Sequence, residues 1–185
     1  LRDSGTDALV IQPVHIAPAV QEIPIEKYTG EVVDNTVAKF ERIAVGRPAL
    51  GLLENSNYPF QDDIKAVAGS LLQDIERVRQ EKSALFYLGH GNTEPETERK
   101  YQDLLMEIRY QYPDVRMYMS MVEGGPPVEE IVEDLRKHNV ARVILKPIML
   151  LAGDHVRKDM IGEGTHTLKS VLENAGFIVQ PVLSG

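Results

Sequence analysis

Cysteine does not occur in the 185 residues, which excludes disulfides, thiolate metal sites and cysteine catalysis and leaves the redox compartment open. Basic residues are outnumbered, 20 against 28 acidic ones, for a net charge of -8. That balance argues against a general nucleic-acid or anionic-membrane surface, so an acidic ligand must be met by a local basic patch. No apolar run approaches the length of a membrane span. The opening Leu1-Arg-Asp-Ser-Gly5 is not a signal peptide, and the cytoplasm is the expected compartment. The absent initiator methionine allows a true start elsewhere. There is no P-loop, no dinucleotide fingerprint at a first strand, no Gly-x-Ser-x-Gly elbow and no His-Glu-x-x-His. Nucleotide-dependent and serine-hydrolase mechanisms therefore lack support.

What is present suits a globular α/β protein. Hydrophobic residues make up 43% and charged residues 26%, and the length allows one sizeable domain or two small lobes. Residues 8–14 read as a buried strand ending at His15, followed by a loop with Pro18 and Pro24. Val33, Val37, Phe40 and Ile43 follow helical spacing over 30–43, and 48–53 read as a second strand before the Asn55-Ser-Asn-Tyr-Pro59 turn. Ile64, Val67, Ala68, Leu71, Leu72, Ile75 and Val78 form one helical stripe, with Asp62 and Asp63 at its positive end. After a strand over 84–88, Thr93-Glu-Pro-Glu96 reads as a capping box opening a helix with Tyr101, Leu104, Leu105 and Ile108 inside. A strand over 115–121, a helix from Pro127 to Asn139, a strand over 142–149, a helix stopping at Gly176 and a strand over 177–182 complete the chain. This alternation predicts a parallel, doubly wound sheet. The methionines in or beside the strands (Met117, Met119, Met121 and Met149) read as core packing.

Three residues close apolar runs at matching points. His90 ends Leu85-Phe-Tyr-Leu-Gly-His90, Glu123 ends Met117-Tyr-Met-Ser-Met-Val-Glu123, and His155 follows Ile144–Leu151 and Gly153-Asp154. The intervals of 33 and 32 residues match one strand-helix-strand unit, which places all three at the carboxyl edge of one sheet. Two imidazoles and a carboxylate there suit a borderline divalent ion such as cobalt, iron or zinc. Each has a plainer reading: His90 capping a turn, Glu123 accepting amides of the next helix, and His155 in a solvated loop with Asp154 or Asp159 nearby. Their equivalent placement favours one shared site. His15 reads as a cleft-wall residue, His138 as a favourable cation at a helix end, and His166 as a residue hanging over the cleft.

The chain resembles the ATP-independent tetrapyrrole chelatases, most closely the anaerobic sirohydrochlorin cobaltochelatases of the CbiK type. The stretches that carry the likeness are Val10-Ile-Gln-Pro-Val-His15, Leu85–Gly91, Val122-Glu-Gly124, Pro147–Val156 with Asp159-Met160, and Leu183-Ser-Gly185. Gly153-Asp-His155 is the most specific of them. The resemblance implies a two-lobed fold with a flat macrocycle in the cleft, residues 1–82 being the remainder of the first lobe and 83–185 the second. It implies that His90, Glu123 and His155 bind the incoming metal, Co2+ ahead of Fe2+, Ni2+ or Zn2+, with no nucleotide, and that His90 takes the pyrrole protons. The partner is a sirohydrochlorin-type tetrapyrrole on the way to cobalamin, and its carboxylates would be met by Arg157, Lys158 and Lys146. Iron insertion for siroheme, a non-catalytic metal- or tetrapyrrole-delivery module, and a phosphoryl or acyl hydrolase using His90 are the alternatives. The likeness departs in three places: the family's opening Ser-Phe-Gly-Thr-like segment and its final helix have no counterpart, and Gly162-Glu-Gly-Thr-His-Thr167 stands where a Ser-Trp turn is usual. The expectation is a truncated chain with its first lobe incomplete, whose exposed sheet edge pairs with another chain or aggregates.

Overall fold

Six consecutive buried residues, Ala84 to Gly89, mark a strand covered on both faces. In the computed structural model, which describes residues 8–17, 42–51, 60–92, 94–149, 153–154 and 156–183, this strand lies inside an all-parallel sheet. Its members are β3 (Ala84–Gly91), β4 (Met117–Glu123), β5 (Arg142–Pro147) and β6 (Ile178–Pro181), in the spatial order β4-β3-β5-β6. A second parallel sheet pairs β1 (Ala8–Ile11) with β2 (Arg42–Val45). Among the described residues no helix is long and apolar enough to cross a membrane.

Period-two alternation sorts the large sheet's side chains into two cores. Leu85, Tyr87, Met117, Met119 and Ile144 face α1 (Phe60–Ser70), α2 (Leu72–Glu81) and α3 (Pro95–Gln111). Phe86, Leu88, Tyr118, Val143 and Leu145 face α4 (Val128–Lys137), a π-turn at Val156–Met160 and α5 (Leu168–Asn174). Burying each such large side chain contributes about 1.5–3 kcal/mol. The chain leaves β3 through α3 on one face, and leaves the adjacent β5 toward α5 on the other. Connections from neighbouring strands that depart to opposite faces open a crevice at the carboxyl ends, where sheets of this kind bind ligands.

Several expectations are corrected. The second strand lies at Arg42–Val45. Residues 48–51 of the expected strand over 48–53 are not in a strand, and its last two residues lie outside the described residues. The first two residues of the observed strand belong to the expected helix over 30–43, the remainder of which also lies outside the described residues. Pro48 has no amide to give a ladder, and its carbonyl instead accepts from Gly51, which has φ +79°, to close a turn. The expected single helix over 62–78 is two, broken at Leu71, where Ser70 turns its hydroxyl back onto the Val67 carbonyl at 2.7 Å beside Gly69. Thr93 lies outside the described residues, so its part in a capping box does too. The N-cap of α3 is Glu94, which has no side-chain cap, and its amide donates to Asn92 Oδ1 at 2.9 Å, with Pro95 opening the helix as expected. β3 runs on through His90 to Gly91, and β4 starts and ends two residues later than the 115–121 reading. Asn139 ends α4 with φ +54°, and Gly176 stops α5 with φ +97°.

Candidate active site

β3 and β4 pair in parallel with Gly91 opposite Glu123, so His90 and Glu123 finish adjacent strands at one edge. β5 flanks β3 on its other side, and the segment leading toward position 155 leaves from that same edge. His155 itself lies outside the described residues. Among the described residues no three histidine, aspartate or glutamate side chains are grouped closely enough to hold an ion.

His90 is exposed, and its Nδ1 lies 2.9 Å from the Gly91 carbonyl. A carbonyl only accepts, so in the neutral ring this contact places the proton on Nδ1 and the lone pair on Nε2. Two packing constraints fix the tripeptide around it. A Cβ on Gly89 would come within 2.7 Å of the Tyr101 ring, and one on Gly91, at φ +70°, would run into the Glu123 carbonyl. Glu123 is exposed and is followed by two left-handed glycines, Gly124 at φ +84° and Gly125 at φ +83°. The N-cap of α4 is Pro127, without a side-chain cap. Both an imidazole and a carboxylate thus stand exposed at the same edge of the sheet, one at the end of each of two neighbouring strands.

Tyr101 enters the site from α3 and was read in the sequence only as core. Its phenol is 3% exposed, burial pushes its pKa up to about 12, and the backbone of Gly91 and of His90 hydrogen-bonds to its oxygen. A glycine inside a fully buried strand, with an aromatic on the next helix, is the signal that could have found it.

The cations are divided. Lys146 is withdrawn from the edge: its Nζ lies 2.9 and 2.8 Å from the two carboxylate oxygens of Asp74, which also accepts from the Tyr87 hydroxyl at 2.8 Å. Only 13% exposed, it is an internal ion-pair residue rather than a carboxylate receptor, which corrects its expected role. Lys158 is exposed and pairs with Asp154 at 3.2 Å, and the Arg157 amide donates to the Gly153 carbonyl. Lys158 also lines a cavity of about 410 Å³ with Leu88, Ser120, Val122, Asp159 and His166, so the loop histidine is placed beside the strand ends. His15 is exposed past the end of β1, in the other sheet, where its carbonyl accepts from Ala49. His138 sits at the end of α4 with Nδ1 2.8 Å from the Asp134 carbonyl, the structural role expected.

The sequence matches the family described as cobalt chelatase (CbiK) over residues 1–185. The sirohydrochlorin cobaltochelatase CbiKC of Nitratidesulfovibrio vulgaris (strain Hildenborough) is 28% identical over 182 residues, covering 96% of this chain and 58% of that protein. The sirohydrochlorin cobaltochelatase of Salmonella typhimurium (strain LT2) is 30% identical over 185 residues, covering 100% of this chain and 64% of that protein. The chain therefore spans less than two thirds of the length of either relative. The crystal structure of the sirohydrochlorin chelatase SirB from Bacillus subtilis subspecies spizizenii in complex with cobalt aligns with a TM-score of 0.53 at 11% identity, covering 97% of this chain and 63% of that one. At that identity the likeness establishes the fold alone.

Proposed function

This chain belongs to the cobalt chelatase (CbiK) family, and on that premise we propose that it inserts a divalent metal ion, cobalt ahead of iron, nickel or zinc, into a sirohydrochlorin-type tetrapyrrole without ATP, in the cytoplasm. The observation that carries the reading is the placement of His90 and Glu123 at the carboxyl ends of adjacent strands, with β5, the strand that precedes His155 in sequence, on the other side of β3. Metal insertion needs partial dehydration of the ion, an open coordination shell and removal of two pyrrole N–H protons. Neutral imidazoles and one carboxylate meet these needs without holding the ion too tightly to release it. In this reading His90, Glu123 and His155 receive the ion, and Nε2 of His90, which carries the lone pair, takes the proton. Arg157 and Lys158 meet the substrate's carboxylates, with His15 on the opposing wall. The lobes divide at residues 82 and 83, and the α1–α2 pair, which precedes the division in sequence, packs against the larger sheet.

The test is anaerobic incubation with sirohydrochlorin and Co2+, followed by absorption. We expect a metal-dependent spectral change that His90→Ala and Glu123→Ala each slow by roughly 100-fold, with circular dichroism unaltered. Equal rates in wild type and both variants would remove the mechanism. Tight tetrapyrrole binding without metallation would select a delivery module instead.

A further inference from the structure

The Gly89-His90-Gly91 tripeptide has two glycines, and each makes room for something specific. Gly91 clears the Glu123 carbonyl across the strand pair, whereas Gly89 clears Tyr101, with ring atoms Cε1 and Cζ at 2.7 and 2.9 Å from where a Cβ would stand. Tyr101 lies in the second turn of α3, so the helix that follows the tripeptide reaches back and lays an aromatic ring against its first residue. The phenol oxygen meets the backbone of the next two residues, His90 and Gly91. Gly91 in turn offers the carbonyl that lies 2.9 Å from Nδ1 of His90. Ring, backbone and imidazole thus form one connected path, in which only the last member stands at the exposed edge.

We infer that Tyr101 is a positioning residue for His90: its ring and oxygen hold the His90–Gly91 backbone so that the Gly91 carbonyl keeps the proton on Nδ1 and the lone pair on Nε2. This rests on the reading of His90 as the group that receives metal and proton. Groups that orient a metal-receiving imidazole through its other nitrogen set its tautomer and ring direction, and losing them commonly costs 10- to 100-fold in affinity or rate. Here the orienting carbonyl is itself oriented, one step further from the ion.

Tyr101→Phe keeps the ring against Gly89 and removes only the oxygen. The decisive measurement is long-range nitrogen–proton correlation on the metal-free 185-residue chain with 15N-labelled histidine, at a pH about two units above the ordinary imidazole pKa. The His90 signals are identified by their loss in His90→Gln. Wild type should show the Nδ1–H tautomer, and Tyr101→Phe should raise the Nε2–H tautomer to a comparable population. In turnover, kcat for metal insertion should fall roughly tenfold, with KM for the tetrapyrrole unchanged. Gly89→Ala, which pushes on the ring from the other side, should reproduce the tautomer change, and adding Tyr101→Phe to it should bring no further change. Wild-type tautomer in both single variants overturns the inference, whether or not their melting temperatures fall, because a purely structural role predicts that result. Absence of metal insertion by the wild type would end the chelatase reading and still leave the tautomer comparison to decide this one.

Discussion

Three buried phenols share a property that reaches beyond the site. Burial raises the pKa of Tyr101 and of Tyr118 to about 12 and that of Tyr87 further still, with Asp74 adding to the effect at Tyr87 and Asp134 at Tyr118. A phenol in the unfolded chain titrates near 10. Between that value and about 12 the folded protein keeps protons that the unfolded chain releases, so the unfolded state binds fewer protons and stability falls as pH rises. The contribution is whole below about pH 10 and is lost above it. Urea midpoints taken at rising alkaline pH should therefore drop across this interval, and phenolate absorbance from these tyrosines should appear together with unfolding. Phenolate absorbance rising for all three while the fold persists would refute the assignment. The same residues mark what was legible at this scale. Gly89-His90-Gly91 stood out because two glycines around a histidine at a strand end are locally conspicuous. Tyr101 did not, since a tyrosine on an apolar helix stripe looks like core until its oxygen is placed.

Strands β3, β4 and β5 were legible as elements because crossover geometry ties the interval between carboxyl ends to one strand-helix-strand length, and the intervals in the sequence match it. β2 was not. Arg42–Val45 carries no more strand character than the apolar run over 48–53, and the choice is made by non-local pairing, Ala8 to Arg42 through Ile11 to Val45. Local preference is too weak to anticipate that. Lys146 teaches the same lesson, since the Asp74 that claims it is 72 positions away. The pair fastens α2 to β5 with both side chains mostly out of water, 13% and 16% exposed, and Tyr87 of β3 completes it. Lys146→Met would leave the Asp74 charge buried without its partner, and we expect a loss of about 3 kcal/mol in urea unfolding. Restoring apolar balance with Asp74→Leu in the same chain should recover much of it. KM for the tetrapyrrole should stay where it was. A raised KM with undiminished stability would return Lys146 to the carboxylate-binding role that the family resemblance implies.

For the whole molecule, the net charge of -8 sets a long-range condition on the proposed substrate, which carries many carboxylates. Like charges slow encounter, and the field reaches about 30 Å at 0.01 M salt but only about 8 Å at 0.15 M. Against it stands the local field of Arg157 and Lys158, both exposed, with Lys158 partly offset by Asp154 at 3.2 Å. One lysine shared with an aspartate and one neighbouring arginine are a small counterweight to a surplus of eight negative charges. We therefore expect kcat/KM for sirohydrochlorin, measured at saturating Co2+, to rise severalfold as ionic strength increases from about 0.01 to 0.15 M. A fall over the same range would mean that the basic pair beside the strand ends governs capture despite the global charge. In that event Lys158→Gln should flatten the salt dependence, because the attraction being screened would be the one it supplies. The sign of the slope thus tells which field the incoming macrocycle feels, that of the whole protein or that of the edge where it docks.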